Sequence, residues 1–139
     1  MNLPCPFGDK LTKQICLARS VIDSVLNYSK GAYPNEAILL LTGKNNEDRI
    51  VIDGIEVPPL AVHGASFSEF PLHMLPMDFS LMGTAHSHPS GVLQPSTPDM
   101  NNFYGRLMMI AAHPYETESD LAVFNSHGRS VKYQVIEDK

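Results

Sequence analysis

One stretch, residues 81–99, restricts this chain more than any other. It opens as apolar, extended-type sequence, Leu-Met-Gly-Thr-Ala, and ends on two histidines one residue apart, His86 and His88. Pro89 follows at once and stops a strand from running on, since it has no N–H to donate. A loop rich in Pro, Ser and Gly leads to Thr97-Pro98-Asp99, which reads as a helix start. The threonine is a hydroxyl N-cap, the proline takes the first helical position, and the acid sits in the first turn. The segment thus demands a strand that ends at an imidazole pair and a helix that brings a carboxylate back to it.

On an extended segment, residues i and i+2 project to the same side, so both imidazoles reach one ion. Two neutral nitrogen donors and one carboxylate hold zinc and leave a fourth position for water, which separates a catalytic site from a structural one. Zinc lowers the pKa of that water to about 7. Attack on a carbonyl then needs a base that takes the proton and delivers it to the leaving amine. Glu36, just ahead of the apolar run 37–41, is the candidate, placed at a sheet edge facing the end of the 81–86 strand. Ser96 would offer a hydroxyl to the developing oxyanion, a kind of donor worth about 10²–10³ in rate. Taken singly, His-x-His suits a solvated strand, Glu36 a turn, Ser96 a cap and Asp99 any helix N-terminus. The set, in this order, points to a zinc hydrolase.

The 139 residues fall within the size of one domain, taken as 1–139. Such a chain buries about two-thirds of its unfolded surface and needs no disulfide staple. Its net charge of −5, with ten scattered Lys and Arg, argues against nucleic acid or an anionic membrane as partner. Cys5 and Cys16 are the only cysteines, and the N-terminal residues lack the pattern of a secretory signal. No apolar run approaches the length that crosses a bilayer. A reduced, cytoplasmic protein is expected.

Apolar spacing at Leu11, Ile15, Ala18, Ile22, Val25 and Leu26 predicts one amphipathic helix over residues 11–28, stopped by Lys30-Gly31. Residues 37–42 and 49–57 read as strands, 62–67 as a third, and 70–78 as a short helix or loop. The helix opened at Thr97 is expected to end near Gly105. Strands at 107–112, 120–125 and 131–136 follow, with a hairpin-type turn at 126–129. His63, His73, His113 and His127 share no ligand spacing, and Met74 and Met77 read as core filler with the option of lining a peptide groove. The sum is an α/β domain on one mixed β-sheet flanked by helices.

Glu36 before an apolar strand and Gly43, then His86-x-His88-x₇-Ser96-x₂-Asp99, resembles the JAMM motif of the MPN+ metalloprotease family. The likeness spans about residues 11–136 and is, in particular, to the compact single-domain JAMM proteins of archaea and some bacteria. The resemblance implies a cytidine-deaminase-like α/β fold, one catalytic Zn2+, and hydrolysis of the (iso)peptide bond after the C-terminal Gly-Gly of ubiquitin or a ubiquitin-like small modifier. It makes His86, His88 and Asp99 the zinc ligands, Glu36 the general base and acid, and Ser96 the transition-state donor. Linkage-specific members carry long insertions beside the site, for which this chain has little room. A groove for the flexible tail of a small β-grasp modifier, bound by strand addition at a sheet edge, is expected instead.

Three other readings use the same segment. The His-Ser-His-Pro-Ser-Gly run is similar to that of RadC-type JAMM domains, although the chain shows neither a preceding helix-hairpin-helix region nor a basic surface. Processing of a sulfur-carrier protein would use the same residues. A non-catalytic MPN scaffold is the non-enzyme alternative, but such members lose ligands that are all present here. Zinc deaminase chemistry needs His-x-Glu with Pro-Cys-x-x-Cys, and the chain has neither. Oligomeric state is not written in the sequence.

Overall fold

The computed structural model describes residues 13–58 and 80–138. Its elements are β1 (Gln14–Ala18), α1 (Arg19–Ala32), β2 (Ile38–Asn45), β3 (Arg49–Glu56), β4 (Leu81–His88), α2 (Thr97–Asn101), β5 (Leu107–Ala112), β6 (Leu121–Phe124), β7 (Ser130–Val131) and β8 (Gln134–Ile136). Among the described residues the strands form one mixed sheet in the order β7-β6-β5-β4-β2-β3-β1-β8. Strand β4 lies antiparallel to β2 and parallel to β5.

Strands β7 and β8 occupy opposite edges of that order, yet only Lys132 and Tyr133 separate them in the chain. The three residue steps from Val131 to Gln134 span at most about 11 Å. A flat sheet would hold its outermost strands about 34 Å apart, at about 4.8 Å per strand. The sheet is therefore strongly curled, with its two edges brought close together.

Alternation along the strands divides the sheet into two faces. Leu39 and Leu41 of β2, Ala85 of β4, and Met109 and Ala111 of β5 share one core with Val21, Ile22, Val25 and Leu26 of α1. Ile38, Met108, Ile110 and Phe124 form a second core on the other face, closed by Leu93 and Phe103. Strand β5 is thus buried on both sides, which explains its unbroken apolar sequence.

Strands β4 and β5 approach closely at Gly83. A Cβ there would lie 1.8 Å from the Leu107 carbonyl oxygen, so no side chain fits unless the two strands separate. At the sheet's far edge, the start of α1 is capped from the other end of the chain. Its own N-cap residue, Ala18, makes no side-chain cap, and the Ser20 N–H instead donates to Asp138 Oδ1 at 2.9 Å. The Ser20 hydroxyl donates to Oδ2 of the same carboxylate. Beside them, Arg19 pairs with Glu118 at 2.8 Å and with Glu137 at 3.1 Å.

Several expectations are corrected. Residues 14–18, inside the expected helix 11–28, form a strand, and the helix runs from Arg19 to Ala32. Ile15, Cys16, Leu17 and Ala18 are all buried, between parallel neighbours β3 and β8, and sheet pairing overrides the helical spacing. Gly31 lies within the helix, which stops where Tyr33 precedes Pro34. Helix α2 starts one residue earlier than expected, with Ser96 as N-cap, and ends at Asn101, while Gly105 takes a positive φ in the turn to β5. The expected strand 131–136 is two short strands that split between the sheet's two edges. Glu36 precedes an interior strand, beside β4, and not an edge. The 62–67 and 70–78 expectations lie outside the described residues, as do Cys5, Leu11, His63, His73, Met74 and Met77. Among the described residues, no helix is long and apolar enough to cross a membrane.

Two stability outcomes follow. Gly83→Ala lowers unfolding free energy by about 2–3 kcal/mol in denaturant titration, because the clash is with backbone. An undiminished midpoint would mean that β4 and β5 are not this close. Asp138 is held below its usual carboxylate range by the Ser20 hydroxyl and then the Ser20 amide. A depressed folded-state pKa gives stability that is complete above the unfolded value, about 3.9, and is lost as pH falls through the folded one. The Tm gap between wild type and Asp138→Ala is therefore full near neutrality and closes below about pH 4; a gap independent of pH would show that the carboxylate charge contributes nothing.

Candidate metal centre

Strand β4 sets the centre. His86 and His88 point to the same face, their ring centroids 4.9 Å apart. His86 is fully buried and His88 half-buried. Asp99 arrives from the first turn of α2 and is 5% exposed. The three donor atoms form a near-regular triangle. His86 Nε2 and His88 Nε2 stand 3.1 Å apart, and Asp99 Oδ2 lies 3.1 Å from His88 Nε2 and 3.3 Å from His86 Nε2. Tetrahedral zinc with ligands at about 2.05 Å puts them about 3.3 Å from each other. The triangle therefore fits one zinc ion, with a fourth position on the open side.

Two of the donors, His88 and Asp99, are also oriented from behind. His88 Nδ1–H donates to the Val92 carbonyl at 2.7 Å, which leaves the Nε2 lone pair facing the other donors. Asp99 is fixed by a reciprocal cap: the Ser96 N–H donates to Asp99 Oδ2 at 2.9 Å, and the Asp99 N–H donates to Ser96 Oγ at 3.1 Å. The interaction that starts helix α2 thus also aims the carboxylate. On the neighbouring strand, Ile38 pairs with His86, so Glu36, two residues earlier, falls on the same face at the level of His88. Glu36, His88, Ser96 and Asp99 line one groove of about 620 Å³, walled by Pro89, Val92, Pro95 and Pro98.

The electrostatics suit ligation. Burial lowers the His86 pKa, and pairing with Asp99 only partly opposes it, so the ring is neutral at pH 7. Burial pulls His88 the same way but is outweighed by Asp99 and the Val92 carbonyl, which leave it raised. Burial alone would raise Asp99. Its contacts with His86, His88 and the Ser96 amide prevail and hold it far below the usual carboxylate range.

The structure brings all five sequence-derived residues together: His86, His88 and Asp99 as a cluster with metal-binding geometry, Glu36 and Ser96 on the groove beside it. Sequence reasoning missed the Val92 carbonyl and gave the cap to Thr97. The Ser96-x-x-Asp99 spacing, an acidic variant of the capping box, was the signal for the correct cap. His113 stacks on Tyr33 with centroids 4.3 Å apart and is no part of the cluster.

Comparison with known proteins agrees with this geometry. A family model of prokaryotic homologs of the JAB domain matches residues 18–125, which include all five residues. A protein of Haloferax volcanii described as a probable metalloprotease is 30% identical over 128 residues, covering 87% of this chain and 79% of the relative. A solved JAMM structure, described as a metalloprotease-like zinc site in the proteasome and signalosome, superposes with a TM-score of 0.66 at 27% identity, covering 90% of this chain and 100% of that one. A JAB1/MPN domain protein from Archaeoglobus fulgidus gives 0.64 at 28% identity, covering 91% and 98%.

The wild-type protein should retain one zinc per chain after dialysis. His86→Ala and Asp99→Ala should each weaken zinc binding more than about 100-fold, beyond what loss of an orienting partner costs. Elemental analysis and calorimetric titration read this directly, and full retention by either variant would remove that residue from the ligand set.

Proposed function

This chain belongs to the prokaryotic JAB domain (JAMM/MPN) family, and on that premise we propose that it is a zinc-dependent isopeptidase hydrolysing the bond after the C-terminal Gly-Gly of a ubiquitin-like small modifier. The observation that carries the reading is the near-tetrahedral triangle of His86, His88 and Asp99 with Glu36 on the same groove. Bound zinc supplies Lewis acidity and brings the pKa of a coordinated water to about 7.

The chain's own residues do the rest. Glu36, on the face of the donors, takes the proton from the attacking water and returns it to the leaving amine. Ser96 keeps its hydroxyl proton while its oxygen accepts from the Asp99 amide, so that proton is available to the developing oxyanion. The walls contributed by Pro89, Pro95 and Pro98 are rigid, which suits an extended tail, and two glycines let its backbone come close. The buried Cys16 thiol fits a reducing compartment such as the cytoplasm.

Purified zinc-loaded protein is the test, incubated with isopeptide conjugates of ubiquitin-like and sulfur-carrier modifiers. Glu36→Gln should keep zinc and lose about 10²–10⁴ in kcat, the usual worth of a general acid–base group. Undiminished turnover in that variant would break the assignment of Glu36, and no cleavage of any conjugate by the zinc-loaded wild type would break the isopeptidase reading.

A further inference from the structure

We infer that Ser87, the residue between the two metal-binding histidines, is a positioning residue that holds Glu36 over the groove; the inference rests on the reading of Glu36 as the proton carrier. Period-two alternation sends Ser87 to the face of the sheet opposite His86 and His88. There it is fully buried and takes no part in the donor triangle. Its partner is the residue next to Glu36. The Ser87 N–H donates to the Ala37 carbonyl at 3.1 Å, as in any antiparallel pair. The Ala37 N–H donates to Ser87 Oγ at 2.7 Å, so the side-chain hydroxyl takes an amide that a regular ladder gives to a backbone carbonyl.

Strand β2 begins at Ile38, and this side-chain bond, together with the backbone bond from the Ser87 amide, continues its attachment to β4 one residue further. Both polar groups of Ala37 are thereby tied to Ser87, and the peptide that joins Glu36 to Ala37 is clamped to the ligand-bearing strand. The turn after β5 lies at the same end of β4, since His88 pairs with Ala112. Tyr115 is 1% exposed and sits at a positive φ of 61°, a backbone conformation uncommon for an aromatic residue. Burial pushes its phenol pKa up. The amide of His113, at the end of β5, donates to the His88 carbonyl at 3.1 Å and closes the same corner. Histidines on one face and the Glu36 anchor on the other are thus fixed by consecutive residues of one strand.

Ser87→Ala removes the acceptor and leaves every metal donor in place. Two measurements test it. In zinc-free protein, amide hydrogen exchange at Ala37, read by NMR, should quicken at least tenfold in Ser87→Ala, with Leu39 and Leu40 unchanged. In zinc-loaded protein, zinc stoichiometry and KM should hold, while kcat falls about 10–100-fold, the range for partners that orient a reacting group. Unchanged Ala37 exchange would overturn the clamp, and so would a wild-type kcat in Ser87→Ala. Loss of zinc in Ser87→Ala would make the residue part of the metal centre's support and also overturn it. Failure of the isopeptidase reading shows separately, as an inactive wild type or an active Glu36→Gln, whereas the exchange measurement needs no turnover.

Discussion

The structure depends on β4 being hydrogen-bonded along both flanks. Antiparallel pairing with β2 and parallel pairing with β5 hold Gly83–His88 in register, beyond an irregularity opposite Leu41 and Thr42, so that His86 lies between Ile38 and Ile110. A strand paired on one side only would be free to twist, and two imidazoles two residues apart would not stay 3.1 Å from each other. Register also assigns the faces. A slip of one residue would send both histidines into the core under α1 and bring Ser87 to the groove.

Burial adds a cost that the geometry offsets. An imidazole pair and a carboxylate withdrawn from water are unfavourable unless each has partners. Here they have each other, together with the Val92 carbonyl and the Ser96 amide. The same contacts start helix α2 and select the His88 tautomer, so local folding and site preparation share one set of bonds. A divalent cation held by His86, His88 and Asp99 would replace the mutual contacts of the donors and leave the outer ones in place.

Much of this was legible in the residues, for identifiable reasons. The ligand strand is written by an apolar run, the His-x-His alternation and Pro89, all local signals. The donor set is legible because residue type and spacing both constrain metal binding. What was not legible depends on distant partners. Gln14–Ala18 has spacing that suits a helix, and only its pairing with β3 and β8, far along the chain, makes it a strand. Residues 131–136 read as one strand because nothing local marks Lys132 and Tyr133 as the crossing between two sheet edges. Glu36 looked like an edge residue because strand order is not encoded in the order of the chain. The Ser96 cap was legible in principle, but a competing hydroxyl one residue later, followed by proline, made the stronger local pattern.

The curled sheet also has a kinetic meaning. Its seam joins β1, near the start of the described chain, to β8, with Cys16 set against Gln134 and Ala18 against Ile136. Contacts of that sequence separation form late and slowly, since loop-closure entropy must be overcome before they return any stabilisation. Strand β4, which carries His86 and His88, and strand β2, which Glu36 precedes, lie in the middle of the sheet and pair with nearer neighbours. The centre can therefore take shape in a half-closed sheet, while persistence of the whole molecule is set by how rarely the seam reopens.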